Sequence, residues 1–152
     1  MRRIEKEIKD HKEFEDIFMK AQVCRLALCY ESMPYIVPMC FGYQDQELYF
    51  HSAQEGLKLM ILRENSKACF EIEVGSEPVP GEKACSWTMR YQSIIGFGEV
   101  EFIENLEGKR EGLRIITKHY TGSEEVIGDE ALSKAAVFKL KIHSMTGKKS
   151  GY

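Results

Sequence analysis

Hydrophobic positions change period several times along this chain, and the changes mark its elements. Phe14, Ile17, Phe18 and Ala21 recur at helical spacing behind Asp10 and Glu13. That D-x-x-E pair is a helix-start signal, so residues 11–21 are expected to form an amphipathic helix. Residues 23–30, VCRLALCY, are apolar without a helical period and read as a strand. A turn at Glu31, Ser32 and Met33 leads to a second strand over 34–43, PYIVPMCFGY, with Pro38 in its middle. Proline donates no ladder hydrogen bond, so it marks an edge, a bulge or backbone left free for another group. Gln44, Asp45 and Gln46 make the next turn, and ELYFH over 47–51 the third strand.

The pattern changes at Ser52. Leu57, Met60, Ile61 and Glu64 have the spacing of a short helix with Gly56 near its start. ACFEIEV over 68–74 alternates with period two, a fourth strand, and two prolines and two glycines make 75–81 a loop. Residues 86–103 read as one long strand or a strand pair, with Gly96 and Gly98 marking a bend or bulge. A second long helix is expected over 104–120, a loop over 121–129, and a last strand, AAVFKLKIH, over 135–143. Short turns between the first three strands force antiparallel pairing. The expected class is mainly β: six or seven antiparallel strands in a closed or split barrel with flanking helices.

Composition narrows the function. The 152 residues suit one domain, with 43% hydrophobic and 30% charged positions. The longest nearly apolar stretch, 35–43, is far short of the ~20 residues of a spanning helix. The basic opening has no apolar region behind it, which argues against a secretory signal. A net charge of −3 argues against a nucleic-acid partner but leaves room for a small anion in a local basic pocket. Five cysteines, at 24, 29, 40, 69 and 85, form no C-x-x-C pair. Reduced thiols in a cytoplasmic setting, with no zinc site, are expected.

Several motifs fail. Gly96-Phe97-Gly98 lacks the third glycine and the following helix of a dinucleotide loop. Thr146 to Ser150, TGKKS, lacks the leading glycine of a phosphate loop. What survives is LYFHSAQEGLKL, where a strand ends in His51 and Ser52 and a helix opens with Lys58 in its first turn. Hydroxyl and backbone N–H groups at a helix start, with a lysine beside them, suit a phosphate. The same residues also suit a capped helix with a solvated lysine. Arg25, among apolar neighbours, fits either an outward face or a ligand groove. WTMRYQSIIGFG, over 87–98, joins aromatics to small residues and fits either a flat ligand or a core strand anchored by Trp87. His119 reads as helix surface and His143 as a strand terminus.

The segments CRLAL, PYIVPMCFGY, LYFHSAQEGLKL, GEKACSWTMRYQSIIGFGEVEF and MTGKKSG follow one another in this order. Together they resemble the pyridoxamine 5′-phosphate oxidase-related flavoproteins, nearest the nitroimidazole-resistance branch. The resemblance implies a split barrel that forms a homodimer with FMN at the subunit interface. It implies that Val37, Pro38 and Met39 lie along the flavin ring, and that His51 and Ser52 meet the ring and ribityl–phosphate region. Lys58 would hold the phosphate, Gln92 and Ser93 the ring edge, and Thr146, Gly147 and Lys148 would reach the site from one of the two chains. Arg25 matches a strand arginine of the same pattern. Members often carry two basic residues where this chain has Leu57 and Lys58, so either phosphate affinity would be weaker, or Arg63 or a residue of the other chain would compensate. The chain lacks the arginine-rich C-terminal extension of true pyridoxamine phosphate oxidases, and that activity is not expected. The implied function is an NAD(P)H-dependent reductase of a nitroaromatic or similar small acceptor, with His51 as proton donor near the acceptor. A non-catalytic flavin carrier or redox sensor, and a haem-binding barrel with His51, His119 or His143 as ligand, are the alternatives.

Overall fold

The computed structural model describes residues 3–152. After a 3-10 turn at Ile4–Lys6 come β1 (Glu7–Ile8), α1 (His11–Lys20), β2 (Cys24–Tyr30), β3 (Met33–Met39), β4 (Phe41–Gln44) and β5 (Glu47–Ala53). Then follow α2 (Leu57–Glu64), β6 (Lys67–Val79), β7 (Thr88–Ile103), α3 (Leu106–Thr121), α4 (Asp129–Lys134) and β8 (Ala135–Ser150). The strands form one antiparallel sheet in the order β3-β2-β6-β7-β8-β5-β4, with β1 added to β8. The mainly β class and the flanking helices are therefore as the pattern of the chain requires.

The expected single strand over 34–43 is two strands. Cys40 separates β3, which pairs with β2, from β4, which pairs with β5. These partners lie at opposite ends of the sheet path. One intervening residue spans at most about 7 Å between its neighbours. The two ends of the path must therefore meet in space without pairing, which makes the barrel split. Pro38 sits on β3, an edge strand, where its missing N–H leaves no ladder bond unmade. The two hairpins close on two-residue turns, Glu31-Ser32 and Asp45-Gln46, each with both residues at positive φ. That geometry matches the strand twist but strains side chains that are not glycine.

Three other boundaries move. The expected loop over 75–81 continues β6 as far as Val79, paired with Thr88 across a bulge between Val74 and Glu77. Residues 88–103 are one uninterrupted strand, and its bulge with β8 lies between Phe97 and Gly98. A Cβ on Gly98 would stand 2.1 Å from Lys141 O, so the bare backbone is what allows this close approach. The last strand runs on through Ser150 rather than stopping at His143, because Gln92 to Phe97 supply it with partners. His143 is thus the unpaired residue of the bulge and not a terminus. Helix α4 and strand β1 carry too little pattern to be seen in advance: each buries a single residue, Leu132 and Ile8.

The core is made of inward-facing alternate residues. Phe41, Phe50, Phe70, Phe138, Leu26, Leu48, Ile72 and Ile94 are fully buried. Helix α1 starts at Asp10, whose side chain accepts from Lys12 N–H, and plugs the barrel with Phe14, Ile17 and Phe18. Phe18 stacks on Tyr43 at 3.9 Å. Helix α3 packs against β4, β5 and β8. Its C-terminal end is pinned, which corrects the reading of His119 as surface. His119 Nε2 donates to Ala21 O at 2.7 Å and its ring lies 4.6 Å from that of Phe41. Beside it, Tyr120 Oη donates to Gln22 O and accepts from Phe41 N–H. Trp87 is no core anchor: it is 57% exposed at the head of β7.

Candidate functional site

The expected site residues fall into two groups, one on each side of the edge strand β3. Alternation along β3 turns Met39 inward, where it is buried, and Pro38 outward, where it is exposed; Val37, half-buried, packs on the core. The inner group gathers where β5 runs into α2. Lys58 Nζ lies 3.4 Å from Met39 Sδ, its one side-chain contact within hydrogen-bond range, and no carboxylate pairs with it among the described residues. Burial of the ammonium lowers its pKa from the ordinary lysine value. His51, at the end of β5, is exposed at its rim but partly desolvated. That desolvation, and then the Lys58 charge, hold its imidazole below the usual pKa. Ser52 Oγ donates to Ala53 O at 2.8 Å.

The local backbone adds the start of a helix to this group. Gly56 takes φ +132°, and a Cβ there would meet nothing within 4 Å. The first helical bonds run from Leu59 and Met60 N–H to Gly56 O. The N–H groups of Leu57 and Lys58 lie ahead of those bonds, at the positive end of the helix dipole. Leu57 is 52% exposed and offers no charge. Arg63 does not replace it: its guanidinium sits 5.7 Å over the Phe102 ring, along a separate groove with Gln54, Lys109 and Val137. An anion at this end of α2 would meet the Lys58 charge, with His51 close enough to feel it. The donor set fits a phosphate monoester.

The outer group lies on the exposed face of the sheet. Register places Pro38, Arg25, Glu71, Ile95 and Thr146 in one row across five strands, and Glu73, Ser93 and Lys148 in the next. Arg25 Nη1 donates to Glu71 at 2.9 Å. Lys148 Nζ stands 5.4 Å over the Tyr91 ring. Gln92 and Gly147 belong to the other face. Gln92 Nε2 donates to Glu13 at 2.9 Å, and Lys149 pairs with the same carboxylate. Gly147 is buried, and a Cβ there would press on Ile8 and Phe14 at 2.8 Å. Thus Glu71, Glu13 and Lys149 are neighbours that the sequence reading missed. The period-two pattern of ACFEIEV places Glu71 on the outward face; only the register sets it beside Arg25.

The same face carries a groove of about 430 Å³ lined by Ala27, Cys29, Lys67, Cys69, Phe97 and His143, among others. Among the described residues no helix is long and apolar enough to cross a membrane, and no three His, Cys, Asp or Glu side chains are grouped to hold a metal.

A helix plug and a seven-strand path whose ends meet at Cys40 define a split barrel. The family model for pyridoxamine 5′-phosphate oxidase matches residues 10–149, and this chain belongs to that family. A protein from Bacteroides thetaiotaomicron, named for 5-nitroimidazole antibiotic resistance, is 38% identical and superposes with a TM-score of 0.83. The match covers 93% of this chain and 85% of that one. An FAD and haem binding protein from Mycobacterium smegmatis shares the fold at TM-score 0.85 and 22% identity, over 97% of this chain and 74% of that one. A flavocytochrome from Azotobacter vinelandii does so at 0.80 and 18% identity, over 96% and 70%. No match is found among curated proteins.

Proposed function

We propose that this chain is a flavin-dependent reductase that seats FMN by its phosphate at the start of α2 and passes electrons from a reduced nicotinamide to a nitroaromatic or similar small acceptor. The observation that carries the reading is Lys58: a partly buried ammonium with no counter-ion among the described residues, at a helix start, with His51 beside it. Desolvating a cation without pairing it is costly, so a site that does so favours an incoming anion. The relative named for nitroimidazole resistance supports the choice of acceptor. The flavin supplies the redox chemistry when bound, and the chain supplies binding, orientation and a proton. Lys58 and the first N–H groups of α2 hold the phosphate. His51, exposed at the rim, is placed to give a proton to a reduced acceptor and to regain it from solvent. We place the protein in a reducing cytoplasm, where its five cysteines stay thiols.

The active form is a homodimer with the flavin between subunits. Support comes from the outer sheet face, which leaves Ile36, Met89, Ile95 and Phe97 exposed beside Arg25, Ser93 and Lys148. Apolar side chains left uncovered along one sheet face are what a contact between copies would bury. The test is the purified protein: its visible spectrum, then turnover of nitroaromatic and quinone acceptors with FMN and NADPH or NADH. The reading requires a flavin spectrum and turnover well above that of free FMN. A flavin spectrum without that turnover makes the protein a carrier, and a Soret band in place of flavin makes it a haem protein.

A further inference from the structure

One stripe of β7 runs from a knob to a hole. Alternation puts Met89, Tyr91, Ser93, Ile95 and Phe97 on the outer face, with Trp87 just ahead of the strand. At the first end, β6 and β7 extend past their neighbours as a two-stranded arm. Beyond Ile72, β6 has no pairing with β2, and beyond Tyr91, β7 has none with β8. The arm is braced and not a loose loop. Arg90 pairs with Glu77 and lies 5.7 Å over the Tyr152 ring. At its tip, Ser86 Oγ accepts from Lys83 N–H at 3.1 Å and donates to Lys83 O at 2.8 Å. This rigid tip exposes Trp87, the only tryptophan in the chain, and Cys85. At the other end of the stripe, beside Phe97, lies the groove of about 430 Å³, walled by Ala27, Cys69 and Gly98 with Lys67 and Glu99 at its rim.

We propose that each copy of this chain inserts Trp87 into the Phe97 groove of a second copy. The proposal rests on the dimeric reading above and specifies how the two faces meet. Trp87 and Phe97 are ten residues apart, about 33 Å of strand, and Gln92 lies midway. A twofold axis through that midpoint puts the knob of each copy over the hole of the other, the reciprocal contact of an isologous interface. The charges match as well. Glu82 and Lys83 on the tip, and Lys67 and Glu99 on the rim, are exposed and make no ion pair among the described residues, so each can meet an opposite charge on the partner. An indole buries roughly 150–250 Å² when covered, a large share of what a docking contact needs. The arrangement also sets the expected flavin residue Ser93 beside the axis, where both chains supply surface.

The chain's own thiols give the test. In this dimer Cys85 of one copy lies near Cys29 and Cys69 of the other. A short bis-maleimide should then yield a covalent dimer on a denaturing gel from the full-length protein. That product should be absent in Cys85→Ser and in the Cys29→Ser, Cys69→Ser double variant. Tryptophan emission should be blue-shifted and shielded from acrylamide in the wild-type dimer, and red-shifted in Phe97→Lys. Sedimentation and FMN binding are measured on the same samples. A flavin-binding dimer with solvent-exposed Trp87 and no Cys85-dependent cross-link overturns the docking and leaves the flavin reading standing. A monomer that binds no flavin overturns both.

Discussion

Lys58 is the residue on which the site turns. Its ammonium is held against the Met39 thioether, a weak acceptor, with no carboxylate among the described residues to neutralise it. Removing that charge should therefore cost ligand affinity with little loss of fold: Lys58→Met should weaken FMN binding at least tenfold by fluorescence titration. Leu57→Arg, which adds a second cation at an exposed position, should strengthen it. His51 makes a separate, pH-dependent prediction. Its folded pKa lies below the ordinary 6.5, through desolvation and then the Lys58 charge. The unfolded chain therefore binds a proton more readily in the window below 6.5, so stability is lost as pH falls through it. His51→Gln should be relatively stabilised at pH 5 and unchanged at pH 8 in urea unfolding. Equal effects at the two pH values would show that His51 does not titrate in this way.

At the scale of elements, the strand pattern and the two hairpins were legible and the long-range pairing was not. Period-two runs such as ACFEIEV and AAVFKLKIH mark strands by themselves, because one face packs on the core and the other does not. The break at Cys40 leaves no such mark, since PYIVPMCFGY is continuous in hydrophobicity. Only the separate claims of β2 and β5 on its two halves divide it. The continuation of β8 through MTGKKS was hidden for the same reason: polar residues can be a strand when β7 offers them partners. Gly98 shows the constraint at its tightest. A methyl group there would lie 2.1 Å from Lys141 O, a backbone atom that cannot swing aside. Gly98→Ala should cost about 1–3 kcal/mol in denaturant unfolding, the usual range for overpacking. A cost near zero would mean that the bulge relaxes without resistance.

For the whole molecule, the proposed dimer rests on the outer sheet face. Ile95 is exposed at its centre, in register between Glu71 and Thr146. A charge there leaves the core untouched but puts two cations on the proposed twofold interface. Ile95→Lys should therefore run as a monomer by analytical ultracentrifugation, keep its folded circular dichroism, and lose FMN binding together with the dimer. A dimeric, flavin-bound variant would move the interface to another surface. The candidate site itself was half legible in advance. His51, Ser52 and Lys58 stand close together in the chain at a strand-to-helix junction, a context that carries its own chemistry. Gln92 and Gly147 did not disclose their surroundings, because Glu13, Ile8 and Phe14 reach them from the far end of the chain.

The sequence by itself determined the β class, the helices α1 and α3, the two tight turns and the closeness of His51, Ser52 and Lys58 at a strand-to-helix junction. Each of these is local: the information lies within a few residues, in a period, a cap or a turn pair. Tertiary structure alone decided that the sheet ends meet at Cys40, that Arg25 faces Glu71, that a half-buried His119 is pinned to Ala21, and that Trp87 is left outside. Those depend on which distant strand satisfies a given backbone hydrogen bond. The answer is set by burying one common core, Phe41, Phe50, Phe70 and Phe138 together, and no single segment contains it.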